Sequence, residues 1–258
     1  MKIEKIKFKS AGYELVGEID SPNYFKSKLP TVILFHGLTN SRKSCPLINE
    51  TAEALTEAGF LVFRFDFYGS GESLGELRDK TVDILEQNAK DAVKFIINNP
   101  GVDRNRLGLW GRSTGGTLVC LLEKKINIKA RVSLSAEIAF EKETFKFKQI
   151  INKEFELEKQ GKKLPGTGKY KGPFEFNKNW YKSFRGLDKK IKNNLKNLDT
   201  ILILGTSRDQ KVTLDNACKI VNSVKEPKRI WIFPTDHDYA GFEKEAVEES
   251  VSWFKKYL

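Results

Sequence analysis

Six short apolar runs recur along this chain: Thr31–His36, Phe60–Phe65, Arg106–Trp110, Ala130–Ser135, Thr200–Leu204 and Arg229–Phe233. Strands buried on both faces read this way, because a parallel sheet covered by helices has no solvent face to carry polar residues. Between the runs the apolar period becomes helical. Ile48, Ala52, Leu55 and Thr56 mark one helix. Val82, Leu85, Ala89, Ala92, Val93 and Ile96 mark a second, closed by Asn98-Asn99-Pro100-Gly101. Thr117–Leu122 is apolar all round, as a buried helix is. Leu214, Ala217, Val221 and Val224 mark a fourth helix, and Val247, Val251, Phe254 and Leu258 mark the last. Residues 2–9 and 13–20 alternate apolar and polar about Gly12, the pattern of an antiparallel hairpin. The alternation predicts an α/β fold with about eight strands, mostly parallel, flanked by helices.

A closed (β/α)₈ barrel has a similar length, but it accommodates neither the hairpin nor the long interruption between the sixth and seventh strands. That interruption is rich in glycine, lysine and aromatic residues. Residues 141–196 hold sixteen basic and seven acidic side chains, so most of the chain's net charge of +11 lies there. The expected organisation is one core, residues 1–136 and 198–258, with a basic, aromatic-rich cap inserted at 137–197. The 258 residues, 40% of them hydrophobic, suffice for one buried core. No apolar run approaches the ~20 residues needed to span a bilayer. The charged N-terminus does not read as a secretory signal, and three widely spaced cysteines do not read as a disulfide framework or a zinc site. A cytoplasmic protein without membrane span, monomeric or homodimeric, is expected. With two histidines, His36 and His237, a multi-histidine metal centre is excluded, and any histidine chemistry falls to one of the two. Most cap lysines read as solvated. They could also draw in anionic substrates, but no nucleic-acid motif accompanies them, so no nucleic-acid partner is expected.

The strongest local signal is Gly111-Arg112-Ser113-Thr114-Gly115-Gly116. The bare GxSxG pattern occurs by chance in roughly a tenth of chains this long at average composition. Here a buried strand runs into it and an apolar helix runs out, the context of a nucleophile elbow. So tight a turn leaves no room for side chains at Gly111 or Gly115, and it lifts the Ser113 hydroxyl to the positive end of the next helix.

A serine hydroxyl needs a base. His237, in the loop after the last strand, fits. His36 reads instead as a prop for the loop His36-Gly37-Leu38-Thr39-Asn40. An acid must then orient the imidazole. Asp209, just past the Thr200–Leu204 strand, emerges at the same sheet edge. Asp236 and Asp238 are too close in sequence to His237 to reach its Nδ1 in line, and Asp199 sits before its strand, at the wrong end. The order Ser113, Asp209, His237 is the one the elbow motif predicts. Backbone N–H groups of Leu38 and Thr114 are the expected oxyanion donors. Asp66, in Arg64-Phe65-Asp66-Phe67-Tyr68-Gly69-Ser70-Gly71, reads as a loop brace.

Together HGLTNSRKS, RFDFYGSGES, GRSTGG, SRDQKV and DHDY, in that order, resemble the α/β-hydrolase superfamily. The likeness is nearest to cinnamoyl/feruloyl esterase-like and serine-aminopeptidase-like members, a group that includes monoglyceride-lipase-like enzymes. It covers residues 1–136 and 198–258. It implies an α/β-hydrolase fold, Ser113 as nucleophile, Asp209 and His237 as its partners, Leu38 and Thr114 as oxyanion donors, and no cofactor or metal. Two departures alter the pocket beside the serine: Leu38 stands where phenylalanine is common, and Arg112 where histidine or an aromatic is common. The expected activity is a serine carboxylesterase acting on small-to-medium or aryl esters. The alternatives are a thioesterase or aminopeptidase using the same residues, and a non-catalytic binding protein on the same scaffold.

Overall fold

The computed structural model describes residues 1–140 and 178–258, so most of the expected cap, 141–177, lies outside the described residues. Eight strands form one sheet: β1 (Lys2–Ser10), β2 (Tyr13–Ser21), β3 (Leu29–Phe35), β4 (Leu61–Phe65), β5 (Val102–Arg112), β6 (Ala130–Leu134), β7 (Ile201–Thr206) and β8 (Lys228–Phe233). Their spatial order is β1-β2-β4-β3-β5-β6-β7-β8. The β1–β2 and β2–β4 pairs are antiparallel and every later pair is parallel. The expected hairpin and apolar runs are all present.

β5 begins earlier than its apolar run. Asp103, Arg104 and Asn105 are not buried, so hydropathy misses this extension, which reaches back to pair Val102 with Leu29 across a register irregularity.

Helices α1 (Pro46–Glu57), α2 (Val82–Ile96), α3 (Thr114–Leu121), α4 (Lys178–Lys182), α5 (Leu187–Leu195), α6 (Leu214–Ser223) and α7 (Glu243–Tyr257) are accompanied by short 3₁₀ turns at Leu77–Asp79 and Lys124–Ile126. Thr81 caps α2, its hydroxyl accepting from the Ile84 N–H. One face of the sheet is covered by α2, α3, α5 and α6, where Phe63, Leu118, Ile191 and Ile203 share a core. On the other face α1 and α7 cover Val32, Val62, Trp110 and Leu202 with Ile48, Trp253 and Phe254. Each buried Leu, Ile or Phe contributes about 1.5–3 kcal/mol, so the two layers fix the sheet that carries the site.

Helix α5 falls within the expected cap range. Its Leu187, Ile191 and Leu195, at helical spacing, are buried in the main core. Asn194 donates to the Cys120 carbonyl at the end of α3 (2.7 Å). Among the described residues no helix is long and apolar enough to cross a membrane.

Candidate active site

Ser113 occupies the single residue between β5 and α3, with φ 56° and ψ −122°. A non-glycine residue there stores about 1–3 kcal/mol of backbone strain. Its N–H donates to the Leu134 carbonyl of β6 (2.8 Å), which hooks the turn to the neighbouring strand. A Cβ on Gly115 would lie 2.1 Å from the Phe35 carbonyl oxygen, and one on Gly111 2.2 Å from that of Gly115. Both glycines are therefore steric requirements of the elbow, as the sequence predicts.

Asp209 follows β7 and His237 follows β8, so both rise from carboxyl ends of parallel strands, as Ser113 does from β5. His237 Nδ1–H donates to Asp209 Oδ2 at 2.7 Å, with both side chains buried. Asp209 also accepts from the N–H groups of Lys211 (2.8 Å) and Val212 (2.9 Å). Burial alone would raise the Asp209 pKa. The His237 hydrogen bond and charge, with the two backbone donors, hold it below the ordinary carboxylate value. The competing acids are engaged elsewhere. Asp236 Oδ1 accepts from the N–H groups of Asp238 and Ala240, and Asp238 pairs with Arg112.

Among the described residues Ser113 Oγ makes no hydrogen bond, so hydroxyl and imidazole share one sheet edge without a closed contact. Catalytic hydrogen bonds often tighten only once substrate binds.

The loop after β3 runs beside the elbow: a Cβ on Gly37 would come within 3.5 Å of the Ser113 Cβ. Among the described residues the N–H groups of Leu38 and Thr114 donate to no acceptor. The Gly37 carbonyl, on the same peptide unit as the Leu38 N–H, accepts from His36 Nδ1 (2.6 Å) and the Asn40 N–H (3.2 Å). His36 Nε2 in turn accepts from the Phe67 N–H (3.1 Å), which fixes the tautomer. Burial, then the Lys80 charge, lowers the His36 pKa to about 3, so the ring stays neutral. His36 is a brace, as expected.

The next carbonyl, that of Leu38, accepts from Lys80 Nζ (2.8 Å), which also donates to Ser70 Oγ (2.6 Å). Sequence reasoning missed Lys80. A lysine two residues before a helix reads as solvated, and only the tertiary fold buries it completely. Burial lowers its pKa from 10.5 to about 7, against the pull of the Asp66 carboxylate. The unfolded chain therefore holds a proton between about pH 7 and 10.5 that the folded chain has lost. Stability attributable to this group rises with pH across that window, by up to ~1.4 kcal/mol per pH unit. Urea midpoints measured from pH 6.5 to 9.5 should rise less in Lys80→Met than in the unsubstituted protein; parallel curves would contradict this.

Asp66 braces its loop as predicted, accepting from the N–H groups of Arg42 (2.7 Å) and Glu72 (2.9 Å). Its ion pair with buried Arg42, itself joined to Glu18 and Glu72, carried no sequence signal because the partners lie far apart in the chain.

Residues 26–167 match the serine aminopeptidase S33 family. The chain belongs to that family. Its hydrolase membership thus agrees with the elbow and with the resemblance drawn from the motifs. An uncharacterized 31.7 kDa protein of the traX-finO intergenic region of Escherichia coli is 36% identical over 117 residues, 45% of this chain and 38% of that protein. Thiohydrolase aneE of Aspergillus aculeatus is 33% identical over 119 residues, 44% of this chain and 36% of the relative. The chain thus spans little more than a third of the length of these curated relatives. Est1E of Butyrivibrio proteoclasticus, solved with ferulic acid bound, superposes with a TM-score of 0.77 at 20% identity, covering 98% of both chains. At that identity the likeness is one of fold, the α/β-hydrolase fold.

Proposed function

We propose that this S33-family hydrolase is a serine carboxylesterase working through an acyl-enzyme. Ser113 Oγ attacks the ester carbonyl carbon while His237 Nε2 takes its proton. The oxyanion is held by the Leu38 and Thr114 N–H groups, each donor worth about 10²–10³-fold in kcat. Collapse expels the alcohol, which leaves with the proton from His237. Water then attacks the acyl-enzyme by the same route, releasing the acid and free Ser113. Asp209 keeps the imidazole in the tautomer whose Nε2 is unprotonated.

The observation that carries this reading is the buried 2.7 Å bond from His237 Nδ1 to Asp209 at the sheet edge that also carries the strained serine elbow. Small-to-medium or aryl acyl groups are the proposed substrates, in keeping with the ferulic acid bound to Est1E. The expected cap, 137–197, is proposed to shape access with its lysines and aromatics, apart from α5, whose Leu187, Ile191 and Leu195 pack in the main core.

A second reading, acyl-thioester hydrolysis, is favoured by the similarity to a protein named as a thiohydrolase. Competing p-nitrophenyl esters, acyl-CoA thioesters and aminoacyl amides by kcat/KM separates the readings. Expected is a preference for esters, with a fluorophosphonate probe labelling the Ser113 peptide. Failure to label would instead favour a binding protein on a hydrolase scaffold.

A further inference from the structure

Arg112 ends β5, immediately before the serine, and its side chain is 5% exposed. Nη2 donates to the backbone carbonyl of His237 at 2.8 Å and pairs with the Asp238 carboxylate. Nη1 lies 3.5 Å from Cys45 Sγ. Nε is buried and, among the described residues, has no partner.

The loop carrying His237 has other anchors, but these reach different strands. The His237 ring is held by Asp209, after β7. Tyr239, at φ 63°, donates its hydroxyl to the Leu204 carbonyl of β7 (2.9 Å). The Arg112 contact ties this loop to the strand of the nucleophile itself, and it grips residue 237 by its main chain.

A buried guanidinium carries a desolvation cost that an apolar side chain filling the same space would avoid. What the cation adds is a donor fixed in direction. Transfer of the Ser113 proton depends on the Oγ–Nε2 separation, and a misplacement of about 1 Å can cost 10²-fold in rate. We infer that Arg112 is a positioning residue: it clamps the backbone of residue 237, with Asp238 as counter-ion, and so sets the spacing between nucleophile and base. This rests on the proposal that Ser113 and His237 form the catalytic pair.

The test is steady-state kinetics on a p-nitrophenyl ester for the full chain, Arg112→Met, Arg112→Lys and Asp238→Asn, with circular dichroism confirming that each is folded. Expected is a fall in kcat of about 10²-fold in Arg112→Met with KM within about twofold, since the guanidinium is taken up by the His237 carbonyl and Asp238. Arg112→Lys, which keeps one charged donor, should recover part of the loss. Fluorophosphonate labelling of Ser113 should slow in parallel with kcat. If Arg112→Met does not fold, Asp238→Asn carries the test, with an expected fall of about tenfold from loosening one side of the clamp. Folded variants with unchanged kcat would overturn the clamp, as would a loss confined to KM or to thermal stability. An unsubstituted chain with no Ser113-dependent turnover would instead overturn the esterase reading, so the two failures are distinguishable.

Discussion

Replacing Ser113 by alanine should lower turnover of a p-nitrophenyl ester by about 10⁶-fold, as loss of the nucleophile does in a comparable triad, while the protein stays folded. Ser113 Oγ makes no hydrogen bond among the described residues, so its removal orphans no partner. The β-carbon remains, and alanine meets the same positive φ of 56° that serine already tolerates, so strain is little changed. The Leu38 and Thr114 N–H groups also remain, which leaves room for a residual rate above that in water. KM should move little. Initial rates for the two proteins at matched concentration, with a thermal melt of each, decide the matter. Turnover within tenfold of the unsubstituted enzyme would remove Ser113 as nucleophile, and with it the acyl-enzyme. A collapse in melting temperature would mean that the hydroxyl has a structural task not evident in its contacts.

Much of this arrangement was legible in the amino-acid sequence, and the reason is physical. Strands buried on both faces are mostly apolar, so β3, β4, β6 and β7 stand out as runs despite the buried Arg64, Arg131 and Ser133. The elbow was legible because geometry forbids a β-carbon at Gly111 and Gly115. Asp209 and His237 were legible because the carboxyl ends of parallel strands share one edge, which converts chain order into spatial neighbourhood. Illegible features depend on pairings across the fold. The carbonyl of Leu38 is 42 positions from Lys80 in sequence, and that of His237 is 125 from Arg112. A lysine or arginine carries no local mark of its eventual burial, since its period and neighbours are those of a surface residue. Helix α5 was hidden differently. Its apolar positions Leu187, Ile191 and Leu195 are separated by Asp188, Lys189, Lys190 and Lys192, and they merge into a lysine-rich stretch that reads as a solvated insertion.

Asp209→Asn should cost about 10⁴-fold in kcat although it changes one atom, and the hydrogen bonds around the carboxylate give the reason. Oδ1 accepts from the N–H groups of Lys211 and Val212, whereas Oδ2 accepts from His237 Nδ1 and, at 3.3 Å, from Thr206 Oγ1. An asparagine has one carbonyl oxygen and one NH₂ group. The two backbone donors cannot be served by NH₂, so the oxygen stays with them and the NH₂ turns toward the imidazole. His237 Nδ1 must then accept, which moves the ring proton to Nε2. In that tautomer Nε2 has no lone pair for the Ser113 proton, so the base is in place but already occupied. Substrate contacts are unaltered, so the loss should fall on kcat with KM nearly constant. Asp236→Asn is the control. Among the described residues Asp236 Oδ1 serves the N–H groups of Asp238 and Ala240, a task an asparagine oxygen can perform, so kcat should stay within a few-fold. The reverse outcome, a mild effect at 209 and a severe one at 236, would transfer the acid's role to the histidine's own loop and end the assignment of Asp209.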